Sequence, residues 1–145
     1  MAVTLPAQAD TRSRWQRISA PTLLAAGLLV ASVLLHLRDP HRSGSWGYCP
    51  WLVLTGTYCP GCGGLRAVND LTHGQVGAAA SSNLLFVASL PFVMGVWSRS
   101  MLDRWRGVQR HHDARRVALA AGGFLVLALT FAVVRNLPFG AWLAP

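Results

Sequence analysis

The three cysteines of the chain lie close together in the sequence and are its residues best suited to chemistry. Cys49 and Cys59 each precede a proline, and Cys59 and Cys62 form a C-x-x-C motif in the run Cys-Pro-Gly-Cys-Gly-Gly. Proline fixes φ and glycine permits positive φ, so this run predicts a tight turn that brings the Cys59 and Cys62 thiols side by side. Thiols placed in this way can form a structural disulfide, bind a metal ion or exchange disulfides.

These three chemistries make different demands on the rest of the chain. Three thiols form at most one disulfide within a chain, and the remaining thiol is then free to react or to pair between chains. Zinc normally takes four ligands, so a zinc site on the cysteines needs a fourth ligand from His41, His73 or a second chain. Thiol exchange through a C-x-x-C motif usually occurs on a βαβ scaffold, which the sequence does not contain. We rank a disulfide or rigid turn first, a zinc site second and redox catalysis third.

Arg66 follows Cys62 by four residues, in a position that is unfavourable for a cation. The sequence predicts a short helix over 65–71 that ends before Gly74, so Cys62 lies at a helix N-terminus, where the dipole lowers a thiol pKa. A cation in the first turn opposes the same dipole. Arg66 must therefore gain a partner, which is either Asp70 on the same helix face or an anionic ligand or thiolate.

Three further polar residues lie at the ends of apolar segments. Asn83 precedes the most apolar part of the middle segment and suits an N-cap position. Arg135 and Asn136 follow the last apolar segment, and polar groups at membrane depth usually pair with protein. We expect Arg135 or Asn136 to hydrogen-bond carbonyls of the cysteine loop. The alternative for Arg135 is a helix-end side chain that reaches the membrane interface.

Long segments without charge must position all of these residues. The 145 residues are 52% hydrophobic and 12% charged, whereas soluble domains carry about 25% charged residues. Charge-free stretches cover 18–37, 74–98 and 117–134, and about 20 helical residues cross the ~30 Å hydrocarbon layer of a membrane. The last stretch has Thr130 as its only polar side chain, so it lacks the polar face of a soluble helix. The pattern predicts an all-α integral membrane protein with three transmembrane helices.

The uncharged segment 43–65 contains too many glycines and prolines for a fourth span. Its aromatic residues, which include Trp46, Tyr48 and Trp51, suit the membrane–water interface. Irregular backbone at that depth must be covered by protein or water. The sequence therefore predicts a Cys/Pro/Gly-rich interfacial loop, followed by the short helix, between the first and second spans.

The arginines predict the orientation of the chain in the plasma membrane. Nine of the 13 basic residues, all arginine, lie in 1–17 and 99–116, and positive charge favours the cytoplasmic side. The N-terminus is therefore expected in the cytoplasm, and the cysteine loop and the C-terminus outside it. The formal charge of +8 is then mainly a topology signal, and no nucleic-acid partner is expected because the sequence contains no recognisable nucleic-acid-binding module.

The predicted organisation has seven segments along the chain. They are a basic cytoplasmic tail (1–17), the first transmembrane helix (18–37), the Cys-Pro loop with the short helix (38–82), the second transmembrane helix (83–98), a basic cytoplasmic loop (99–116), the third transmembrane helix (117–134) and a tail (135–145).

The cysteine region also resembles a known family. Cys49-Pro50, Thr55-Gly56, the run Cys59-Pro-Gly-Cys-Gly, Arg66-Ala67, Gly74, Ala79, Asn83 and the later Arg135-Asn136 with Pro138 resemble the domain of unknown function 2752 family of small bacterial membrane proteins. The resemblance covers roughly 46–140. The sequence differs from the family pattern at Leu65, Gln75 and Leu84. The resemblance implies a membrane-embedded module and supplies no reaction.

Together these features predict a small multi-pass membrane protein that is not an enzyme. The Cys-Pro loop would act as a structural or partner-binding scaffold, and its partners would be the lipid bilayer and another membrane protein or a second copy of the chain. The alternative is a membrane thiol-redox or zinc-binding protein that uses Cys49, Cys59 and Cys62. Zinc is the only cofactor that the pattern suggests, and the scattered aspartates offer no carboxylate pair for acid–base catalysis.

Overall fold

The computed structural model describes residues 13–42, 44–108 and 113–145, and within these residues it contains only helices and no strand. The helices are α1 (Arg14–Leu37), α2 (Pro50–Thr55), α3 (Gly64–Thr72), α4 (Val76–Ser82), α5 (Leu84–Arg106) and α6 (Ala114–Arg135), followed by a 3-10 helix (Pro138–Leu143).

Three of these helices are long and apolar enough to cross a membrane. They are α1, α5 and α6, and at most 6% of the most apolar 18-residue window of each is buried within the protein. Their large apolar side chains instead point outward, which is favourable only against lipid or another apolar surface. The prediction of an all-α membrane protein with three spans is therefore confirmed by length and composition.

The long helices extend beyond the apolar stretches that predicted them. Helix α1 begins at Arg14 because Ser13 and Gln16 form a capping box at its N-terminus. Helix α5 continues to Arg106 and ends at Gly107, which has φ +74°. Apolar length marks the part of a helix that crosses the membrane, whereas caps mark where the helix itself begins and ends.

Three short helices occupy the interval between α1 and α5, where the sequence predicted one. Helix α2 begins with Pro50 at its first position and ends at Gly56, which has φ +70°. Helix α4 is separated from α5 by Asn83 alone, whose extended backbone (φ −159°, ψ 94°) turns the chain and whose side chain accepts a hydrogen bond from the Phe86 amide. A one-residue break of this kind leaves no Gly or Pro signal in the sequence.

Residues 44–83, which we call the cysteine platform, lie where α1 ends, α5 begins and α6 ends. Helices α3 and α4 pack on each other, α3 packs on α1, and α4 packs on α5. Helix α1 also packs on α5, with Trp15 edge-to-face against Trp105 at 5.5 Å between ring centroids, at the end away from the platform. The platform thus joins α1 and α5 at one end, and hydrogen bonds from Arg135 and Asn136 connect it to the end of α6.

Candidate thiol site

The three cysteine thiols converge in the platform. Cys59 Sγ lies 3.0 Å from Cys62 Sγ and 3.6 Å from Cys49 Sγ, and all three sulfurs lie within 4.8 Å of one another. All three cysteines are free of disulfide bonds, Cys62 is buried, and the other two are half-buried. Such a group can hold a metal ion or form one disulfide.

A tight turn and two helix ends place these sulfurs. Cys49 is the residue before α2, and the Cys62 amide donates to the Cys59 carbonyl at 3.1 Å across the Pro-Gly turn. The Cys59 amide donates to Cys62 Sγ at 3.3 Å. Gly63, before α3, has φ +83° and approaches the Ser82 carbonyl so closely that a Cβ atom would collide with it. The turn therefore requires glycine at this position.

Arg135 holds the turn from the end of α6. Its side chain is 1% exposed, and its Nη1 donates to the carbonyls of Cys59 and Cys62, each at 3.0 Å. Its Nη2 donates to the Leu143 carbonyl at 2.8 Å. Arg135 thus connects both ends of the C-x-x-C turn to the 3-10 helix.

Two asparagines hold the same loop from either side. Asn83 Nδ2 donates to the carbonyls of Pro60 at 2.9 Å and Cys62 at 3.1 Å. Asn136 exchanges two hydrogen bonds of 2.8 Å with the backbone of Tyr58, accepting from its amide and donating to its carbonyl. The loop backbone is therefore fixed by side chains from the junction of α4 and α5 and from the end of α6, not by regular secondary structure.

The positive charge of Arg135 has no carboxylate partner among residues 13–42, 44–108 and 113–145. Its guanidinium stacks 4.8 Å from the Phe131 ring centroid and 5.7 Å from that of Tyr58, and its Nε forms no hydrogen bond within the part of the chain that the structure describes. A buried charge is costly unless it is paired. The groups near it include the thiols of Cys59 and Cys62, which can become negative.

Asp70 does not pair with Arg66, so this alternative from the sequence is corrected. Asp70 Oδ1 lies 2.8 Å from His41 Nε2, and Asp70 Oδ2 accepts from Ser82 Oγ at 2.8 Å. His41 and Ser82 are 29 and 12 residues away along the chain. Sequence reasoning missed both contacts because no local spacing connects such partners.

His41 and His73 are also not placed to complete a zinc site. His41 faces Asp70, as described above, and His73 Nδ1 lies 2.8 Å from the Asn69 carbonyl. The His73 ring stacks on His36 at 4.2 Å between centroids. Within the described residues, the cysteines converge with no histidine among them.

The pKa of the Cys62 thiol differs from the value that the sequence predicted. Burial raises the pKa of the Cys62 thiol to about 12, with its hydrogen bond to Cys59 as the next cause, so the predicted lowering by the α3 dipole is wrong. The pKa of Cys49 is lowered instead, chiefly by the Leu52 backbone amide in the first turn of α2. The Cys49 thiol makes no regular N-cap hydrogen bond, so this is an effect of nearby N–H groups at a helix N-terminus.

A cleft opens beside the thiols, with a volume of about 580 Å³. Its lining includes all three cysteines, Arg42, Arg66 and Tyr48, and no Asp or Glu side chain from the part of the chain that the structure describes. Arg66, in the first turn of α3, is half-buried. The half-buried Cys49 and Cys59 and the buried Cys62 therefore border a positively charged opening.

The fold and this site define a class of protein: a helical membrane protein with three spans and a three-thiol site where they join. Residues 49–97 match a family model described as "Protein of unknown function (DUF2752)". The match confirms the resemblance seen in the sequence for the segment from Cys49 into α5, while Arg135 and Asn136 lie beyond it. No curated protein and no solved structure matches the chain significantly.

Proposed function

We propose that the protein is a membrane-embedded scaffold that holds a thiophilic metal ion, zinc first among them, through Cys49, Cys59 and Cys62. The observation that carries this proposal is the convergence of three sulfurs within 4.8 Å of one another on a loop that Arg135, Asn83 and Asn136 hold in place. The scaffold and the thiol site then act together, because the scaffold fixes the positions of the metal ligands.

The spacing of the sulfurs suits such an ion. Sulfur ligands about 2.3 Å from a tetrahedral zinc lie about 3.8 Å from one another. The separations of 3.0 and 3.6 Å therefore require movements of less than about 1 Å. Thiolate ligands favour zinc and copper(I) over magnesium or calcium, which prefer oxygen.

The charge of the site supports the same proposal. Three thiolates and one divalent ion carry a net charge of −1, which complements the buried guanidinium of Arg135. A divalent ion also deprotonates thiols that bind it, and so it offsets the burial that raises the pKa of Cys62.

A second candidate function, thiol–disulfide exchange, is favoured by the separation of 3.0 Å between Cys59 Sγ and Cys62 Sγ. An S–S bond is about 2.05 Å long, so a small movement would allow one to form. Forming it releases two protons and transfers two electrons to a partner disulfide, which is reduced to two thiols. The buried, weakly acidic Cys62 is a poor nucleophile, so we place this function second.

The deciding experiment measures zinc and free thiols in the full-length chain, purified in mild detergent under reducing conditions. We expect about one zinc per chain, lost in Cys49→Ser, Cys59→Ser and Cys62→Ser and retained in the matched loop variant Thr57→Ser. Three free thiols without zinc would contradict the metal proposal, and a Cys59–Cys62 disulfide that cycles with a partner would favour exchange.

We also propose an orientation of the chain in the membrane and partners for its long helices. The arginine distribution supports a cytoplasmic N-terminus with the cysteine platform and the C-terminus outside. The outward-facing apolar side chains of the long helices suit the bilayer, another membrane protein or a second copy of the chain. A fusion reporter after Pro145 should be active outside the cytoplasm, and cytoplasmic activity would contradict this topology.

A further inference from the structure

We infer that the thiol site is an open metal centre whose fourth ligand is an exogenous oxyanion, a carboxylate or phosphate group, held by Arg66. This inference rests on the proposed metal function and adds the class of ligand that the metal would take.

The protein supplies three ligands to the site, one fewer than zinc normally takes. Within the described residues the cluster has three donors, and His41 and His73 make other contacts. Structural zinc sites are closed by four protein ligands, whereas three protein ligands leave a fourth position for water or substrate. The cluster therefore has the composition of an open site.

The site is open on the side of the cleft. All three cysteines line the cleft of about 580 Å³, while Arg135 and Asn83 hold the loop backbone through its carbonyls. Those hydrogen bonds end on carbonyl oxygens and not on the sulfurs that line the cleft. The fourth position thus faces a space large enough for a small ligand.

Arg66 supplies the positive charge that would hold the oxyanion. Across the residues that the structure describes, its side chain forms no hydrogen bond or ion pair, and Asp70 is occupied by His41 and Ser82. Arg66 lines the same cleft as the cysteines, together with Arg42. A guanidinium binds carboxylate and phosphate oxygens in bidentate fashion, so an oxyanion satisfies Arg66 and the metal at once.

Two sources can provide this oxyanion. Trp46 and Leu65, which also line the cleft, are exposed apolar side chains suited to an acyl chain at the membrane interface. An anionic lipid headgroup and a free small anion therefore share the chemistry that the cleft recognises, and the experiment separates them.

The test uses the full chain loaded with cobalt(II), whose visible spectrum reports its coordination, in nanodiscs of zwitterionic lipid. Acetate and inorganic phosphate are titrated in separate arms, and a third arm replaces part of the lipid with phosphatidylglycerol. We expect an oxyanion to shift the cobalt bands and the apparent dissociation constant to rise at least about tenfold in Arg66→Gln, the loss expected for one charge-assisted hydrogen bond. The apparent dissociation constant of Arg66→Lys should lie between those of the unchanged chain and Arg66→Gln.

Arg115→Gln is the matched control, because Arg115 is an exposed arginine at the start of α6 and far from the cysteines in sequence. Its oxyanion affinity should equal that of the unchanged chain. A shift confined to phosphatidylglycerol nanodiscs assigns the ligand to lipid, and a shift with acetate or phosphate assigns it to a free anion. A cobalt spectrum that no oxyanion changes, or one that changes equally in Arg66→Gln, would overturn the inference alone. Failure to bind cobalt or zinc would overturn the proposed function and the inference with it.

Discussion

The cysteine platform and the three long helices differ in what holds their residues in place. In the platform and the groups that contact it, buried side chains include Asn69, Asp70, Ser82, Asn83 and Arg135, and hydrogen bonds join segments distant in sequence. Large apolar side chains of the long helices are mostly exposed at the protein surface. The platform is therefore organised by directional polar contacts, whereas the long helices are stabilised by the lipid around them.

Structural specificity in this protein resides in the platform and not on the outer faces of the long helices. Lipid solvates an apolar helix surface without preferring one neighbour to another, because acyl chains are as apolar as leucine. A buried carbonyl, by contrast, is satisfied only by a donor at the correct distance and angle. We therefore expect substitutions in the platform to alter the thiol site and substitutions on the outer helix faces to leave it intact.

The largest effect is expected for Arg135→Ala. This change removes one donor from each of the carbonyls of Cys59, Cys62 and Leu143, which should cost about 3 kcal/mol. Alkylation of Cys59 and Cys62 in the metal-free protein should then be faster on the order of 100-fold. Arg115→Ala is the control, and unchanged labelling in Arg135→Ala would mean that the loop is held by other contacts.

Asn83→Ala should have the next largest effect. It removes the cap of α5 and the donors to the Pro60 and Cys62 carbonyls, with an expected cost of about 2 kcal/mol. The same alkylation assay should show an increase of roughly 30-fold. Ser81→Ala, two residues earlier on the exposed side of α4, should change the rate little. Equal rates in the two variants would contradict the role assigned to Asn83.

Within the platform, Cys49 and Cys62 are expected to react with alkylating reagents at different pH values. Thiolate is the reactive form, so the lowered pKa of Cys49 predicts labelling at lower pH than for Cys62, whose pKa is raised to about 12. At pH 9 we expect Cys49 in the metal-free, reduced protein to react at least about tenfold faster, as measured by peptide mass spectrometry. The difference should disappear in the unfolded chain, and its persistence there would exclude the fold as its cause.

The smallest effect is expected for Leu125→Ala on α6. Leu125 is exposed at the protein surface, so its loss should change stability by less than about 0.5 kcal/mol and leave zinc content and cysteine labelling unchanged. In the platform, by contrast, Ala79→Leu should disturb the thiol site. Ala79 is 0% exposed and has no space for a larger side chain. A disturbed thiol site in Leu125→Ala would contradict the division between the two regions.

The sequence predicted the long helices well because their signal is local. The absence of charge in 18–37, 74–98 and 117–134 reflects transfer of each segment into lipid, which depends on composition and length. The caps that extend α1 to Arg14 and α5 to Arg106 are local signals too, but they lie outside the apolar stretches and were not used.

The thiol site was predictable only in part. The Cys-Pro-Gly-Cys-Gly run specifies a turn through the restricted φ of proline and the freedom of glycine, which are properties of single residues. The position of Cys49 against Cys59, the pairing of Asp70 with His41 and the burial that raises the pKa of Cys62 depend on how α1, α3 and α4 pack.

The sequence alone thus determined which segments are apolar enough to enter a membrane and where the chain must turn, because both follow from the chemistry of neighbouring residues. The sequence also predicted that Arg135 or Asn136 would bind carbonyls of the cysteine loop. Only the tertiary structure decided that Arg135 reaches those of Cys59 and Cys62, that Arg66 is left without Asp70, and that three sulfurs share one opening. These relations join residues far apart in the chain, and their geometry is set by mutual satisfaction of buried polar groups, which no local pattern encodes.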